Sequence, residues 1–373
     1  MSCLHSHWPE PVVRVQSLAE SGIQSIPKRY IKPPSDRPNI TSRDDHVPTS
    51  TLVPNMIDDI PVIDIQHLVN SANSDPNLRA DTLSRISDAC REWGFFQVVN
   101  HGISHDLLKD VRELWRDFFK LPVEVKQEYA NAPDTYEGYG SRLGIEKGAI
   151  LDWSDYFFLN FMPVSMRKTS KWPSRPESCR ELTAKYGEEV VKFCGSLLKV
   201  FSLNLGLKED HLQNAFGGQD IGACLRVNFY PKCPQPDLTL GLSPHSDPGG
   251  MTLLLPDENV AGLQVRRGDD WVTVKPVTNA IIVNLGDQIQ VLSNAVYKSV
   301  EHRVIVNSVK DRVSLAFFYN PKSDILIKPL EELVTEDMPA LYKPMTYAEY
   351  RLHIRTKGPS GKAQVESLKA TKQ

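Results

Sequence analysis

Leu242-Ser243-Pro244-His245-Ser246-Asp247-Pro248-Gly249-Gly250 reads as a short strand running into a turn. Residues two apart on an extended backbone project to one face, so His245 and Asp247 are expected to point the same way. Pro248-Gly249-Gly250 then stops the strand. A further histidine, His302, stands in Ser299-Val300-Glu301-His302-Arg303-Val304, another strand-like run. Side chains from two separate strands meet where strands close around a mouth, so the neighbouring sequence has to supply more strands.

It does. From Gly222 onward, β-rich runs lie near Cys224 to Tyr230, Gly241 to His245, Met251 to Leu255, Leu263 to Arg266, Trp271 to Lys275, Ala280 to Leu285, Val296 to Val306 and Arg312 to Tyr319. Short strands with turn signals between them predict a closed or double-sheet architecture. Two sheets packed as a jelly roll leave an open mouth for a ligand. Upstream, Pro61-Val62-Ile63-Asp64 and Phe95-Phe96-Gln97-Val98-Val99 are strand candidates, but helices dominate. One runs from about Asn77 and is stopped by Gly94. A second follows the N-cap Ser104 and carries Leu107, Leu108, Val111, Leu114, Trp115 and Phe118 at helical spacing. A third spans roughly Arg180 to Leu205.

The expected class is α+β, a double-stranded β-helix (jelly-roll) core flanked by helices. Along the chain, 1–57 is a Pro-rich segment with one short helical stretch at Val15, Leu18, Ala19 and Ile23. Residues 58–215 form a mainly helical region, 216–322 the jelly-roll core, and 323–373 a loop, a lid helix near Thr346 to Arg355 and a polar tail.

Composition narrows the function. A net charge of −3 leaves no cationic excess for nucleic acid. No run reaches the ~18 apolar residues of a membrane span. The start, Met1-Ser2-Cys3-Leu4-His5-Ser6-His7-Trp8-Pro9, lacks a basic region followed by an apolar core, so no secretory leader is expected. The expected compartment is the cytoplasm, with the nucleus open by diffusion, and a monomer is expected. Cys3, Cys90, Cys179, Cys194, Cys224 and Cys233 are scattered without a C-x-x-C pair and read as reduced thiols.

Two imidazoles and one carboxylate cover one face of an octahedron and leave three positions open. That arrangement belongs to non-haem Fe(II) oxygenases, whereas a structural zinc site closes its shell with four protein ligands. An H-x-D pair alone is a weak signal in a chain with ten histidines. The remaining histidines show no such partner and read as surface or capping groups.

What strengthens the pair is Arg312-Val313-Ser314, ten residues after His302. Val309-Lys310-Asp311 looks like a turn, which would put His302 and Arg312 on adjacent strands of one hairpin. Alternation puts Arg312 and Ser314 on one face. An inward arginine needs an anion, and a guanidinium takes a carboxylate bidentately while a hydroxyl adds a further bond. A keto diacid fits, one end chelating iron and its far carboxylate meeting Arg312 and Ser314. Arg226, Asn228 and Tyr230 also alternate and would share an inner face, an outer solvated face being the alternative.

Asn228-x-Tyr230-Pro231, His245-x-Asp247, His302 and Arg312-x-Ser314 together resemble the plant 2-oxoglutarate-dependent dioxygenases. The resemblance extends to Trp93-Gly94-Phe95-Phe96-Gln97-Val98-Val99-Asn100-His101-Gly102 and to Tyr136-Glu137-Gly138-Tyr139-Gly140. It implies that His245, Asp247 and His302 bind Fe(II) and that Arg312, Ser314 and Tyr230 bind 2-oxoglutarate, with Asn228 nearby. O2 is then the oxidant and ascorbate the reductant. Phe229 stands where many relatives have Tyr.

Within that family, the chain is similar to the jasmonate-induced oxygenases in Trp8-Pro9-Glu10-Pro11, Leu151-Asp152-Trp153-Ser154-Asp155-Tyr156 and Tyr350-Arg351-Leu352-His353-Ile354-Arg355. This likeness implies hydroxylation of jasmonic acid to 12-hydroxyjasmonate, which switches off a hormone signal. Arg351 and Arg355 are four apart on the expected lid helix and share a face. With Arg226 they could converge on one substrate carboxylate, and the resemblance implies the same trio. Phe158 and Phe318 are matched positions that would pack on the apolar body of the substrate. Two other readings stay open: a flavonoid oxidase of the anthocyanidin synthase or flavonol synthase type, and a non-catalytic small-acid binding or sensor protein.

Overall fold

The computed structural model describes residues 13–38, 59–69, 75–131, 137–141, 149–357 and 361–369. Twelve strands form two sheets: β1 (Val62–Asp64), β2 (Phe95–Val99), β3 (Gly138–Gly140), β4 (Asp155–Met162), β5 (Gly222–Tyr230), β6 (Leu242–His245), β7 (Met251–Leu255), β8 (Leu263–Arg267), β9 (Asp270–Thr273), β10 (Ile281–Leu285), β11 (His302–Val304) and β12 (Arg312–Asn320). The larger sheet has the order β1-β2-β10-β7-β12-β5-β4-β3 and the smaller β6-β11-β8-β9. Between β5 and β12 the chain passes back and forth between the sheets. That alternation is the winding of a double-stranded β-helix.

Alternation along the strands of the larger sheet separates two environments. Ala223, Leu225, Val227 and Phe229 of β5, and Val313, Leu315, Phe317 and Tyr319 of β12, join the main core with Trp115, Phe118, Leu197 and Leu198 from the helices His105–Lys120 and Cys179–Asn204. Each such large apolar side chain contributes about 1.5–3 kcal/mol when fully buried. Cys224, Arg226, Asn228 and Tyr230, with Arg312, Ser314, Ala316 and Phe318 in register opposite them, take the other face, toward the smaller sheet. Ser104 caps the helix that backs this core, its Oγ accepting from the Leu107 amide.

Three local expectations change. Asp155–Met162, in the region expected to be mainly helical, is an eight-residue strand paired with β5. The run Val296 to Val306 yields only the short strand His302–Val304, preceded by the helix Asp287–Leu292. The polar tail contains a helical turn, Ala363–Glu366, whose Val365 is fully buried in the main core.

The N-terminal segment is tied down. Its helix Val15–Glu20 points the Val15 and Gln16 amides at the buried carboxylate of Asp155 (3.0 and 2.9 Å). Val15, Ile26 and Tyr30 pack with Trp153, Tyr230 and Val304 in a second core. Among the described residues no helix is long and apolar enough to cross a membrane.

Candidate active site

His245 ends β6 and His302 begins β11, and the two are direct partners across the sheet. Their ring centroids are 4.2 Å apart. Asp247 lies in the turn beyond β6, so the turn, rather than strand alternation, carries its carboxylate back to the histidines. Asp247 Oδ1 is 3.6 Å from His245 Nε2 and 3.8 Å from His302 Nε2. The ligand atoms all lie within 4.8 Å of one another, a set that could hold one metal ion.

The surroundings aim these atoms. His245 Nδ1 is 2.9 Å from the Ser243 carbonyl and His302 Nδ1 is 3.2 Å from the Val300 carbonyl. A carbonyl only accepts, so each Nδ1 carries the proton and each Nε2 presents a lone pair. Asp247 Oδ2 accepts from Thr252 Oγ1 (2.5 Å) and Asn284 Nδ2 (2.8 Å), which leaves Oδ1 turned to the histidines. The Asp247 turn docks on the start of the helix Asp287–Leu292, whose Asp287 and Gln288 amides donate to the Asp247 and Gly249 carbonyls (2.8 and 3.0 Å). Gly286 permits this approach, since a Cβ there would fall 2.3 Å from the Gly249 carbonyl oxygen.

The electrostatics suit metal ligands. Burial, with the neighbouring His245, pushes His302 down to about 4. Burial opposes ionisation of Asp247, but His302, His245 and the Thr252 hydroxyl outweigh it and hold the carboxyl below its usual range. Burial likewise pulls His245 down, yet the contact with Asp247 prevails and raises it.

Arg312 is not on a hairpin with His302. β12 belongs to the larger sheet and β11 to the smaller, so the two residues sit on opposite sheets. Arg312 is only 4% exposed. Its Nε donates to the Val260 carbonyl and its Nη1 to Ser314 Oγ, both at 3.3 Å, and the guanidinium lies 5.2 Å from the Tyr230 ring centre. Among the described residues it has no carboxylate partner. Register places Tyr230 beside Arg312 and Asn228 beside Ser314, so these four residues form one patch. Burial raises the Tyr230 hydroxyl, which stays protonated. Phe229 faces the opposite way, stacked on Phe119 at 4.6 Å.

Arg226 lies two residues along β5 from Asn228, flanked in register by Phe158 and Ala316. Its guanidinium stands 4.9 Å from the Tyr156 ring centre, and its Nε is buried with no hydrogen-bond partner among the described residues. Phe318 pairs with Cys224 and Thr252, and Thr252 touches Asp247. Phe158 and Phe318 are partly buried, as walls of an open cavity would be. Arg351 stands on the helix Tyr347–Lys357, exposed, and its charge is felt at Cys224. The side chain of Arg355 lies outside the described residues.

Sequence reading missed Thr252 and Asn284. Each is a lone polar residue at the inward position of an apolar strand, Met251-Thr252-Leu253 and Val283-Asn284-Leu285. It also took His101 for a surface or capping group. His101 is buried, its Nδ1 accepting from the Ile103 amide (3.2 Å) and its Nε2 3.0 Å from the Asn279 carbonyl.

A double-stranded β-helix with a two-histidine, one-carboxylate cluster at the end of β6 and, on the opposite sheet, a buried arginine without a carboxylate partner among the described residues defines a non-haem iron oxygenase that takes a 2-oxo diacid. Residues 221–321 match the 2OG-Fe(II) oxygenase superfamily, and residues 60–175 match the non-haem dioxygenase in morphine synthesis N-terminal family. The chain is 61% identical over 366 residues to Jasmonate-induced oxygenase 1 of Arabidopsis thaliana, covering 98% of this chain and 88% of that one. It is 62% identical over 361 residues to Jasmonate-induced oxygenase 2 of the same plant, covering 96% and 94%. The crystal structure of JOX2 in complex with 2OG, Fe and JA superimposes with a TM-score of 0.87 at 59% identity, covering 98% of this chain and all of that one. The chain belongs to the jasmonate-induced oxygenases, a branch of the 2OG-Fe(II) oxygenase superfamily. It is an oxidoreductase that uses Fe(II) and 2-oxoglutarate.

Proposed function

We propose that the enzyme hydroxylates jasmonic acid to 12-hydroxyjasmonate, with His245, Asp247 and His302 holding the iron. In this reading Arg312, Ser314 and Tyr230 grip the far carboxylate of 2-oxoglutarate, with Asn228 beside them. Arg226, Arg351 and Arg355 receive the carboxylate of jasmonic acid, while Phe158 and Phe318 wall its ring and side chain. Bound iron, with 2-oxoglutarate and O2, supplies the oxidation that places a hydroxyl on an unactivated carbon and releases succinate and CO2. Ascorbate keeps the metal reduced.

The protein's part is placement. The carbonyls of Ser243 and Val300 fix the imidazole tautomers, and Thr252 and Asn284 fix the carboxylate. A substrate held by its acid end has its far carbon delivered repeatedly to one point, which sets regiochemistry.

The observation that carries the substrate reading is Arg226, on the inner face of β5, whose buried Nε lacks a partner among the described residues. A buried donor left unsatisfied costs about 1–3 kcal/mol, more when charged, and a substrate carboxylate relieves it. A neutral flavonoid leaves that cost standing. A non-catalytic acid-binding protein has no use for an iron site and a keto-acid grip together. The test is product analysis with Fe(II), 2-oxoglutarate and ascorbate. Jasmonic acid is expected to give a hydroxylated product with stoichiometric succinate, and its methyl ester little. Turnover of a flavonol precursor with jasmonic acid untouched would sink the assignment. The same reading takes the enzyme as a cytoplasmic monomer that engages no nucleic acid; light scattering of the purified protein reads the oligomeric state directly.

A further inference from the structure

β6 is the edge strand of the smaller sheet, with β11 as its one strand neighbour, and the register slips between His302 and Val304. An edge strand has half the lateral restraint of an inner one, yet this one ends in His245. What holds its free side therefore bears on the metal site. Two contacts do so. Gly361 forms an isolated bridge with His245 itself. Asp152, from the Leu151-Asp152-Trp153 stretch before β4, grips Ser243: Oδ2 accepts from the Ser243 amide at 3.0 Å and Oδ1 from the Ser243 hydroxyl at 2.6 Å.

Asp152 is itself held by the N-terminal segment. Lys32 Nζ lies 2.7 Å from Asp152 Oδ1 and donates to Ser243 Oγ at 2.9 Å. Lys32 is 5% exposed, so this ion pair is shielded from solvent on the lysine side. The Ser243 carbonyl is the same group that receives the His245 Nδ1 proton at 2.9 Å. A continuous polar chain thus runs from Lys32 through Asp152 and Ser243 to the imidazole.

We propose that Asp152 and Lys32 are positioning residues for His245, so that the docked N-terminal segment forms part of the metal site. Asp152 fixes Ser243 on the open edge of β6, and Ser243 fixes the imidazole plane and tautomer. Loss of Asp152 frees that edge and lets the ring swing, which weakens metal binding without removing a ligand. Partners of this kind are worth about 10–100-fold in metal affinity. The inference rests on reading His245 as a metal ligand.

The test is Mn(II) titration of the metal-free full-length chain, comparing the parent with Asp152→Ala, Lys32→Met and His245→Ala, with near-ultraviolet circular dichroism reporting folding. The Kd for Mn(II) is expected to rise ~10-fold in folded Asp152→Ala. A smaller rise is expected in Lys32→Met, which leaves the Asp152–Ser243 bonds in place. Parental affinity in folded Asp152→Ala overturns the proposal, because a purely scaffolding role would lower thermal stability and leave the Kd alone. Should Asp152→Ala fail to fold, Lys32→Met and Asp152→Asn decide by the same readout, and an unchanged Kd in both overturns it. Parental affinity in His245→Ala removes the ligand reading on which the proposal rests, a separate failure visible in the same titration.

Discussion

Arg312 and Arg226 are cations on the inner face of the roll, and each lacks an anion among the described residues. Arg312 pairs with Tyr230 six residues along β12 from Phe318, the strand partner of Thr252, whereas Arg226 stands opposite Ala316, only two residues from Phe318. Replacing each should therefore give a distinct kinetic signature. Arg312→Gln is expected to raise the KM for 2-oxoglutarate by about 10–100-fold, the worth of a hydrogen bond to a charged group, with the KM for jasmonic acid little changed. Arg226→Met is expected to do the reverse, raising the KM for the acid by a similar factor. Steady-state kinetics with each co-substrate varied in turn separates the two, and equal effects on both would dissolve the division of labour. These residues were legible in the sequence because each carries a chemistry that packing does not explain. Thr252 and Asn284 were not, because a neutral polar residue in an apolar strand announces no partner. Only coordinates reveal that both aim at Asp247 Oδ2.

Among elements, the helices and the strands after Gly222 were readable from periodicity, but β4 was not. Asp155-Tyr156-Phe157-Phe158-Leu159-Asn160-Phe161-Met162 carries aromatics on both faces, Phe157 and Phe161 toward the helical core and Tyr156 and Phe158 toward the roll. A strand covered on both sides loses the polar–apolar alternation by which strands are recognised. The supposed hairpin between His302 and Arg312 failed for a related reason. A turn signal shows that the chain reverses, but not whether it returns to the same sheet. The turn after β2 supports a prediction of its own. His101 donates and accepts at once, so it is held neutral, and burial lowers its pKa below the ordinary value. The unfolded chain, near 6.5, then takes up a proton first. Stability from this residue is complete above that value and is lost as pH falls through it toward the folded pKa. His101→Gln should flatten the fall in Tm between pH 7 and 5, and a slope identical to the parent's would contradict the assignment.

At the scale of the whole molecule, both ends of the described chain fold back onto the roll. Residues 13–38 dock through Val15, Ile26 and Tyr30, and residues 361–369 through Val365 and Leu368. Ending the chain at Lys357 removes two buried apolar side chains from the main core, about 1.5–3 kcal/mol each. The urea midpoint is expected to fall accordingly, and an unchanged midpoint would show that this segment contributes nothing to stability. Composition and spacing gave no hint of these returns, since a short segment's docking depends on a surface formed elsewhere in the fold. The winding of the strands has a last consequence. The histidines stand on one sheet and Arg312 on the other, so on the proposed reading the gap between the sheets acts as a caliper for the co-substrate. A diacid one methylene shorter than 2-oxoglutarate, such as oxaloacetate, then cannot touch both jaws at once. Chain length would then be measured by the thickness of the roll together with the reach of the Arg312 side chain into it.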